Sequence, residues 1–314
     1  MKQKNVIWIL GDQHRAQALS CNGDPNVNTP HLDRLSVEGV NFRNAISGFP
    51  LCCPFRGSML TSRYPHKCVP GHEYRMPEDQ KTIAHAFNEN GYDTAYFGKW
   101  HLDGFHEREG RGAFHIVPPQ RRGGFKTWVG YENNNSQWDS WVHGSHGQFL
   151  KMSPYEESIR VPFIIGGCTP MGYDGFRCGG SPALMNHVDI APTSLGLCGI
   201  EKPDWMVGFD YSGVRVHART LKEMPDSAYI QTVIPTKHGD SVDQPFRAIV
   251  TNDGWKYVCF ERQQWLMFNL NEDPYEQVNL AFNVAYGGKR KALNERLAKW
   301  IADTDDSFVL PCYS

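Results

Sequence analysis

No stretch of this 314-residue sequence is apolar over the length that a membrane-spanning helix needs, so the sequence predicts no membrane partner. An excess of charge of one sign is also lacking. With 32 basic and 34 acidic residues the net charge is −2, which excludes the basic footprint of a nucleic-acid-binding protein. A secretory leader is missing too, because the short apolar run 5–10 ends at Gly11 and Asp12 without a small-residue cleavage site. We therefore expect a cytoplasmic protein.

The nine cysteines lack any repeating spacing. Their odd number, with no leader in view, argues against a disulfide framework and for reduced thiols. The composition is otherwise that of a globular protein, with 40% hydrophobic and 12% aromatic residues. The length allows one large domain or two ordinary ones.

Buried apolar runs alternate with amphipathic segments in the first two thirds of the chain. Residues 5–10 and 94–97 read as buried strands, and residues 79–89 read as an amphipathic helix. Residues 29–39 predict a helix with Thr29 as its N-cap. Helices alternating with buried strands predict an α/β fold, a doubly wound and mostly parallel sheet flanked by helices.

The last third has a different pattern. Short strand-like runs at 228–231, 247–250 and 255–258 enclose an Asn-Asp-Gly turn at 252–254, and residues 289–303 form an amphipathic helical pattern. This part therefore predicts a smaller C-terminal antiparallel sheet plus a helix. We expect two domains, residues 1–225 and 226–314.

The stretch 52–62 carries the most chemistry for its length. It contains a thiol at Cys52, a second cysteine, Pro54 and a guanidinium at Arg56. A thiol beside an arginine and a helix start has a lowered pKa and is nucleophilic, and an arginine can hold an anionic group in bidentate fashion. A buried cysteine pair next to a surface arginine explains the same residues equally well.

Polar residues also follow the predicted strands. Asp12 comes after the run 5–10, and Lys99 and His101 come after the run 94–97, at the edge where open α/β sheets bind their ligands. Asp12 suits a metal ligand or a helix N-cap. Lys99 and His101 are two residues apart and project to the same side. Taken singly, Lys99 is better explained as a solvated surface lysine and His101 as a hydrogen-bonded core histidine.

Taken together, the motifs resemble the sulfatases of the alkaline phosphatase-like superfamily. The resemblance runs in order along nearly the whole chain, which makes it far more specific than the C-x-P-x-R pattern alone. The blocks that carry it are residues 12–13 (DQ), 29–33 (TPHLD), 52–62 (CCPFRGSMLTS), 98–102 (GKWHL), 155–162 (YEESIRVP), 187–193 (HVDIAPT) and 270–281 (LNEDPYEQVNLA).

The resemblance implies a modified residue and a metal ion. Cys52 would be converted to formylglycine by a maturation enzyme that recognises Pro54 and Arg56. A divalent cation, usually Ca²⁺, would bind Asp12, Gln13 and the converted Cys52, since oxygen ligands suit a hard ion.

The resemblance also implies roles for four side chains. Arg56 and Lys99 would hold the sulfate group and His101 would move a proton, for which a histidine is suited near neutral pH. Lys151 would lie near the leaving-group oxygen. The expected activity is sulfuric ester hydrolysis, on the sulfate ester of a sugar or an aryl alcohol.

The chain departs from this family in one place. The strand that supplies two further metal ligands, ending in aspartate followed by histidine or asparagine, is missing between residues 133–141 and 145–147. We expect an internal deletion near Gly144, an incomplete cation site for which Asp139 or His143 would have to substitute, and apolar sheet faces exposed by the loss of central strands.

Two other hypotheses therefore stay open beside the sulfatase. One is a non-catalytic, truncated relic that binds a sulfated ligand. The other is a phosphodiester or phosphonate monoester hydrolase, because the same cationic groups fit phosphoryl oxygens.

Overall fold

The computed structural model describes residues 4–12, 14–106, 112–133, 141–144, 149–151, 163–166, 177–219, 223–235, 244–274 and 276–313. Gln13, Asp139 and the block 155–162 lie outside this part of the chain. The described strands are β1 Val40–Ile46, β2 Ala95–Lys99, β3 Thr127–Tyr131, β4 Trp141–Gly144, β5 Phe149–Lys151, β6 Phe163–Ile165, β7 Gly179–Asn186, β8 Ser227–Thr232, β9 Phe246–Thr251, β10 Trp255–Phe260 and β11 Gln263–Asn269. The α-helices are α1 Pro30–Glu38, α2 Cys52–Thr61, α3 Ile83–Glu89, α4 Ile190–Leu197, α5 Ser212–Arg215 and α6 Gly287–Asp303.

The predicted α/β class is confirmed. In one sheet, β1 lies between β6 and β7, parallel to β7 and antiparallel to β6. In a second, β2 is parallel to β3, and β4 and β5 follow in antiparallel order. The third sheet, β11-β10-β9-β8, is fully antiparallel and packs against α6. The expected C-terminal sheet with one helix is thus also confirmed, whereas the domain division at 225 stays a prediction.

Helix α1 has the ends that its sequence predicts. Thr29 is the N-cap, Pro30 is the first helical residue, and the amide of Gly39 donates to the Leu35 carbonyl at 2.8 Å. The Thr29 hydroxyl also donates to Asp33 at 2.9 Å, within the first turn. Local chemistry therefore defines the ends of this helix, and hydrogen bonds from Ser20 and Cys21 to Asp33 hold its first turn from another segment.

Helix α2 starts at Cys52, directly after the extended residue Leu51. Its last residue is Thr61, and the C-cap Ser62 adopts a left-handed conformation with φ of 53°. The helix is almost entirely buried, so packing rather than amphipathic pattern determines its length.

The expectation of a strand at residues 5–10 is wrong. None of the described strands pairs with this segment. Its side chains still alternate: Ile7 and Ile9 are 81% and 91% exposed, while Trp8 packs against the core and donates to the Ser194 hydroxyl at 2.9 Å. A strand forms only where a neighbour completes its backbone hydrogen bonds. The expected exposure of apolar sheet faces is not tested by these isoleucines, because they lie in none of the described sheets, and it stays a prediction.

Two further expectations needed adjustment. The helix predicted from residue 79 starts only at Ile83, because Thr82 is its N-cap and accepts from the Ala84 amide at 3.2 Å. Strand β3 was not expected from the sequence, and it brings Trp128 into the core.

The cysteines within the described ranges are all free, in agreement with reduced thiols. In the same ranges, none of the helices combines the length and the hydropathy that a bilayer crossing requires. A cytoplasmic location stays a prediction.

Candidate functional site

The first turn of α2 presents the predicted nucleophile. Cys52 is the first residue of the helix and is half-buried. Arg56 follows one turn later, so that both side chains lie on the same helix face. The loop between β1 and α2 therefore brings the thiol to a helix N-terminus, where partial positive charge stabilises an anion.

Arg56 is the centre of the site's hydrogen bonds. Its Nη1 donates to the Lys99 carbonyl at 2.6 Å and to the Tyr96 hydroxyl at 3.2 Å, and its Nη2 donates to Asp12 Oδ2 at 3.1 Å. The Tyr96 hydroxyl in turn donates to the Lys99 carbonyl. Arg56 is only 9% exposed, so it is not the surface arginine that the sequence also allowed. The role of Tyr96 was not foreseen, since no motif marks it.

Lys99 also points at the same carboxylate. Its Nζ lies 3.6 Å from Asp12 Oδ2, and its side chain is 9% exposed. Burial raises the pKa of Asp12, but the charges of Arg56 and Lys99 outweigh this effect and hold that pKa below its usual value. Asp12 is therefore ionised and faces two cations, which leaves a net positive charge beside Cys52.

The chain turns sharply after β2, and this turn orients His101. Gly98 has φ of 109° and His101 has φ of 55°, a left-handed conformation that is uncommon outside glycine. The His101 side chain is consequently folded inward and only 1% exposed, and neither ring nitrogen has a hydrogen-bond partner. Burial, together with the charge of Lys99, the His72 ring and the charge of Arg56, holds the pKa of His101 well below its usual range. The imidazole is thus neutral near pH 7.

Two neighbours of His101 were given no chemical role in the sequence analysis. Cys53 is fully buried and its sulfur accepts a hydrogen bond from the Glu73 amide at 3.2 Å. The His72 ring lies edge-on to His101, with ring centroids 5.4 Å apart. These residues come from separate segments of the chain, so that no spacing in the sequence indicates their proximity.

Of the residues expected to hold a hard divalent cation, the structure describes Asp12, Cys52 and His143. Gln13 and Asp139 lie outside the described residues. His143 is buried and its Nε2 accepts a hydrogen bond from the Val117 amide at 2.9 Å. Asp12 already faces two cations, and the described residues place no group of three carboxylate, histidine or cysteine ligand atoms around it. The described residues alone therefore do not complete a Ca²⁺ site at Asp12, and no chemical step is assigned to that ion.

Lys151 lies in β5, where it pairs with Trp141 of β4. Its backbone is the only part that the structure describes, so the expected position of its amine near the leaving group stays a prediction.

Comparison with known proteins agrees with the motifs. The "Sulfatase" family model matches residues 4–146, and the model "N-sulphoglucosamine sulphohydrolase, C-terminal" matches residues 144–303. The two matches meet at Gly144, where the sequence indicates a deletion.

Individual relatives cover the chain to different extents. An ulvan-active sulfatase of Formosa agariphila is 27% identical over 434 positions, covering 97% of this chain and 82% of the relative. The alignment is longer than the chain itself, so the relative has segments that this chain lacks. An N-acetylglucosamine-6-O-sulfatase of Bacteroides thetaiotaomicron is 33% identical over 151 residues, 46% of this chain and 24% of that protein.

Solved structures support the fold. A structure determined in complex with its substrate D-glucosamine-2-N,6-O-disulfate superimposes with a TM-score of 0.79 at 16% identity, covering 98% of this chain and 99% of the other. At this identity the similarity establishes the α/β architecture and nothing finer.

Proposed function

This chain belongs to the sulfatase family of hydrolases, and on that premise we propose that it hydrolyses the sulfate ester of a carbohydrate. The observation that carries the proposal is the convergence of Arg56 and Lys99 on one point beside Cys52. Two buried cations at the start of a helix form a site for a tetrahedral anion. The family and the hydrolase class predicted from the motifs are confirmed by the matches.

The choice of a carbohydrate rests on the relatives. Two of them act on ulvan and on N-acetylglucosamine-6-sulfate by their names, and the superimposed structure holds a glucosamine disulfate. We extend this substrate class to the present chain as part of the proposal.

The nucleophile we assign is Cys52 after conversion to formylglycine by a maturation enzyme. A formylglycine at this position would supply a hydrated aldehyde. One hydroxyl would attack the ester sulfur and give its proton to water as the sulfur–oxygen bond to the sugar breaks. The second hydroxyl would then give its proton to His101 as the carbon–oxygen bond to the sulfate group breaks, which releases sulfate and restores the aldehyde. Arg56 and Lys99 would stabilise the negative charge that develops on the sulfate oxygens, because both are fixed in a site of low exposure.

His101 is the proton acceptor in this proposal. Its imidazole is neutral near pH 7 and neither ring nitrogen has a hydrogen-bond partner, so the form that accepts a proton is present. Burial and the charges of Lys99 and Arg56 disfavour the protonated ring, so His101 would hold the proton only transiently. Lys151 would protonate the sugar oxygen as the sulfur–oxygen bond breaks.

A second candidate function has one specific observation in its favour. Asp12 is already neutralised by Arg56 and Lys99, and the cation ligands expected after residue 133 are missing from the sequence. A chain of this kind would bind sulfated saccharides through the same cations without turning them over.

The decisive experiment starts with the chain produced together with a formylglycine-forming enzyme. Mass spectrometry of the peptide that contains Cys52 establishes the degree of conversion. Sulfate release is then measured from N-acetylglucosamine-6-sulfate, an aryl sulfate and sulfated ulvan fragments, with Cys52→Ala as the matched control. A phosphonate monoester and a phosphodiester in the same panel test the phosphoryl alternative.

We expect sulfate release by the converted chain and none by Cys52→Ala. Full conversion without turnover, together with saturable binding of a sulfated sugar that Arg56→Ala abolishes, would establish the binding protein instead. Turnover confined to the phosphonate or the phosphodiester would establish the third hypothesis.

A further inference from the structure

Three potential metal ligands from separate segments converge next to the proposed active site. They are Cys53 in the first turn of α2, His72 in the loop after that helix, and His101 after β2. One ligand atom of each lies within 4.8 Å of the other two. Cys53 and His101 are 0% and 1% exposed. This arrangement is distinct from the calcium position expected at Asp12 and Gln13.

We propose that Cys53, His72 and His101 form a binding site for one Zn²⁺ ion or a similar transition-metal ion. One thiolate and two imidazoles are the ligand types that zinc selects, whereas Ca²⁺ and Mg²⁺ require oxygen ligands. Three protein ligands leave a fourth coordination position open, as in zinc sites that exchange water or a substrate.

The spacing of the three side chains is close to what a tetrahedral site needs. With metal–nitrogen and metal–sulfur bonds of about 2.0–2.3 Å, tetrahedral ligand atoms are roughly 3.5 Å apart. The present separations of up to 4.8 Å exceed this value by little more than about 1 Å, so metal binding would require the three side chains to move closer by about that distance.

His101 carries the strongest indication of a missing partner. Both of its ring nitrogens are buried and neither has a hydrogen-bond partner. Buried polar groups are nearly always paired, because an unpaired one loses its hydration without compensation. A metal ion bound to one ring nitrogen would satisfy it, and the left-handed φ of 55° at His101 directs the ring toward Cys53 and His72.

Glu73 supports the other two ligands at once. Its amide donates to the Cys53 sulfur at 3.2 Å, a bond that stabilises a metal-bound thiolate. One carboxylate oxygen lies 3.7 Å from His72 Nε2. The other oxygen is held at 2.6 Å by His106 Nδ1. A carboxylate behind a ligating histidine is the usual second layer of a zinc site.

The metal site and the proposed hydrolysis share His101. A bound ion would occupy the nitrogen that has to accept a proton, so Zn²⁺ would inhibit sulfate release. The binding itself does not depend on formylglycine, and it is tested on the unconverted chain.

The test uses Co²⁺ as a spectroscopic probe and Zn²⁺ as its competitor. We expect one equivalent of Co²⁺ to give the visible bands of a tetrahedral site with a sulfur-to-cobalt charge-transfer band, and one equivalent of Zn²⁺ to remove both. Cys53→Ala should lose the charge-transfer band, and His72→Ala should weaken binding at least tenfold. Cys68→Ala, at another buried cysteine outside the cluster, and Cys52→Ala, at the neighbouring thiol, should bind as the parent does.

A charge-transfer band that survives Cys53→Ala, or that disappears in Cys52→Ala or Cys68→Ala, would overturn the assignment. X-ray absorption of the zinc-loaded parent chain does not depend on any variant folding correctly. It should show one sulfur and two imidazole nitrogens, and a shell of oxygens or of several sulfurs would refute the site.

Discussion

Arg56 and Asp12, 44 positions apart in the chain, form an ion pair in which Nη2 lies 3.1 Å from Oδ2. Lys99 Nζ approaches the same oxygen to 3.6 Å. The oxygen that a divalent cation would need is therefore already used by two positive groups. This relationship makes the site suited to an anion and poorly suited to a hard cation.

Calcium binding should accordingly be weak. Sites with few charged oxygen ligands bind Ca²⁺ with dissociation constants of about 10⁻⁴–10⁻³ M or weaker, and we expect this chain to fall there or to show no binding. Calorimetric titration of the purified chain with CaCl₂, with Asp12→Asn as the control, measures it. Micromolar binding that Asp12→Asn removes would mean that Arg56 and Lys99 move away from Asp12 and that Asp12 belongs to a complete cation site.

Replacing Arg56 by lysine should impair the site although the charge is kept. One ammonium cannot make the three contacts to Asp12, Tyr96 and the Lys99 carbonyl that the guanidinium makes. We expect kcat for sulfate release to fall about 100-fold or more, as when a preorganised donor is lost. Steady-state kinetics measure it. Arg34→Lys, at an arginine on the surface of α1, is the matched control and should leave kcat unchanged.

The parts of the fold that the sequence predicted are those set by local chemistry. Thr29, Pro30 and Gly39 define α1 within one stretch of chain, and the turn 252–254 joins β9 to β10 as a hairpin. Arg56, Lys99 and Asp12 lie together. The expected reason, a shared edge of one sheet, does not hold, because β1 and β2 belong to different sheets and the segment before Asp12 is not a strand.

The parts that the sequence did not predict depend on distant partners. Residues 5–10 have the composition of a strand, but the described structure gives them no neighbouring strand. Strand β3 is short and contains Gly130. Because glycine has no side chain, the Gly98 carbonyl of the neighbouring strand can lie close to the Gly130 backbone. A Cβ at this position would lie 2.3 Å from that oxygen. The cluster of Cys53, His72 and His101 joins three segments, which no motif spacing reveals.

His187 should make stability depend on pH in a defined window. Its Nδ1 accepts a hydrogen bond from the Gly48 amide at 2.8 Å, and burial lowers its pKa to about 3. In the unfolded chain the histidine is protonated near pH 6.5, whereas in the folded protein His187 stays neutral down to about pH 3. Stability should therefore fall as the pH decreases from 6.5 toward 3, by up to about 1.4 kcal/mol per pH unit, and be unaffected by this group above 6.5.

Urea unfolding at several pH values measures this effect against His187→Asn, whose side-chain oxygen can accept the Gly48 bond without titrating. The difference in unfolding free energy between parent and variant should change below pH 6.5 and be constant above it. A constant difference over the whole range would show that His187 is protonated as easily in the folded state as in the unfolded one.

Among the charged residues that contact the C-terminal sheet, Asp306 should affect the free energy of unfolding most when it is replaced. It accepts from Arg247 Nε at 2.6 Å, from the Tyr229 hydroxyl at 2.7 Å and from Gln231 Nε2 at 2.7 Å. The side chains of Arg247 and Asp306 are 5% and 3% exposed. Asp306→Asn leaves a buried arginine without its counter-charge, so we expect a loss of about 3–5 kcal/mol in the free energy of unfolding.

The matched control for that loss is Asp303→Asn, three residues away, where the partner Lys299 is exposed. Exposed ion pairs contribute about 0–1 kcal/mol, so this variant should unfold close to the parent in urea. Equal losses for the two variants would mean that the buried pair contributes no more than a surface one.

The exposed isoleucines near the N-terminus should promote self-association without supporting the fold. Ile7 and Ile9 are 81% and 91% exposed, and Phe97 at the end of the second sheet is 70% exposed. We expect Ile7→Ser with Ile9→Ser to leave the free energy of unfolding within about 0.5 kcal/mol of the parent, since no buried contact is lost. The same double variant should lower the weight-average mass in sedimentation velocity at high protein concentration, because exposed apolar surface drives association.

Trp8→Ala is the matched control on the inward side of the segment. The ring packs on the core and its Nε1 donates to Ser194, so this variant should lose about 1–3 kcal/mol in the free energy of unfolding and leave association unchanged. A destabilised double serine variant would show instead that Ile7 and Ile9 are covered in the folded chain.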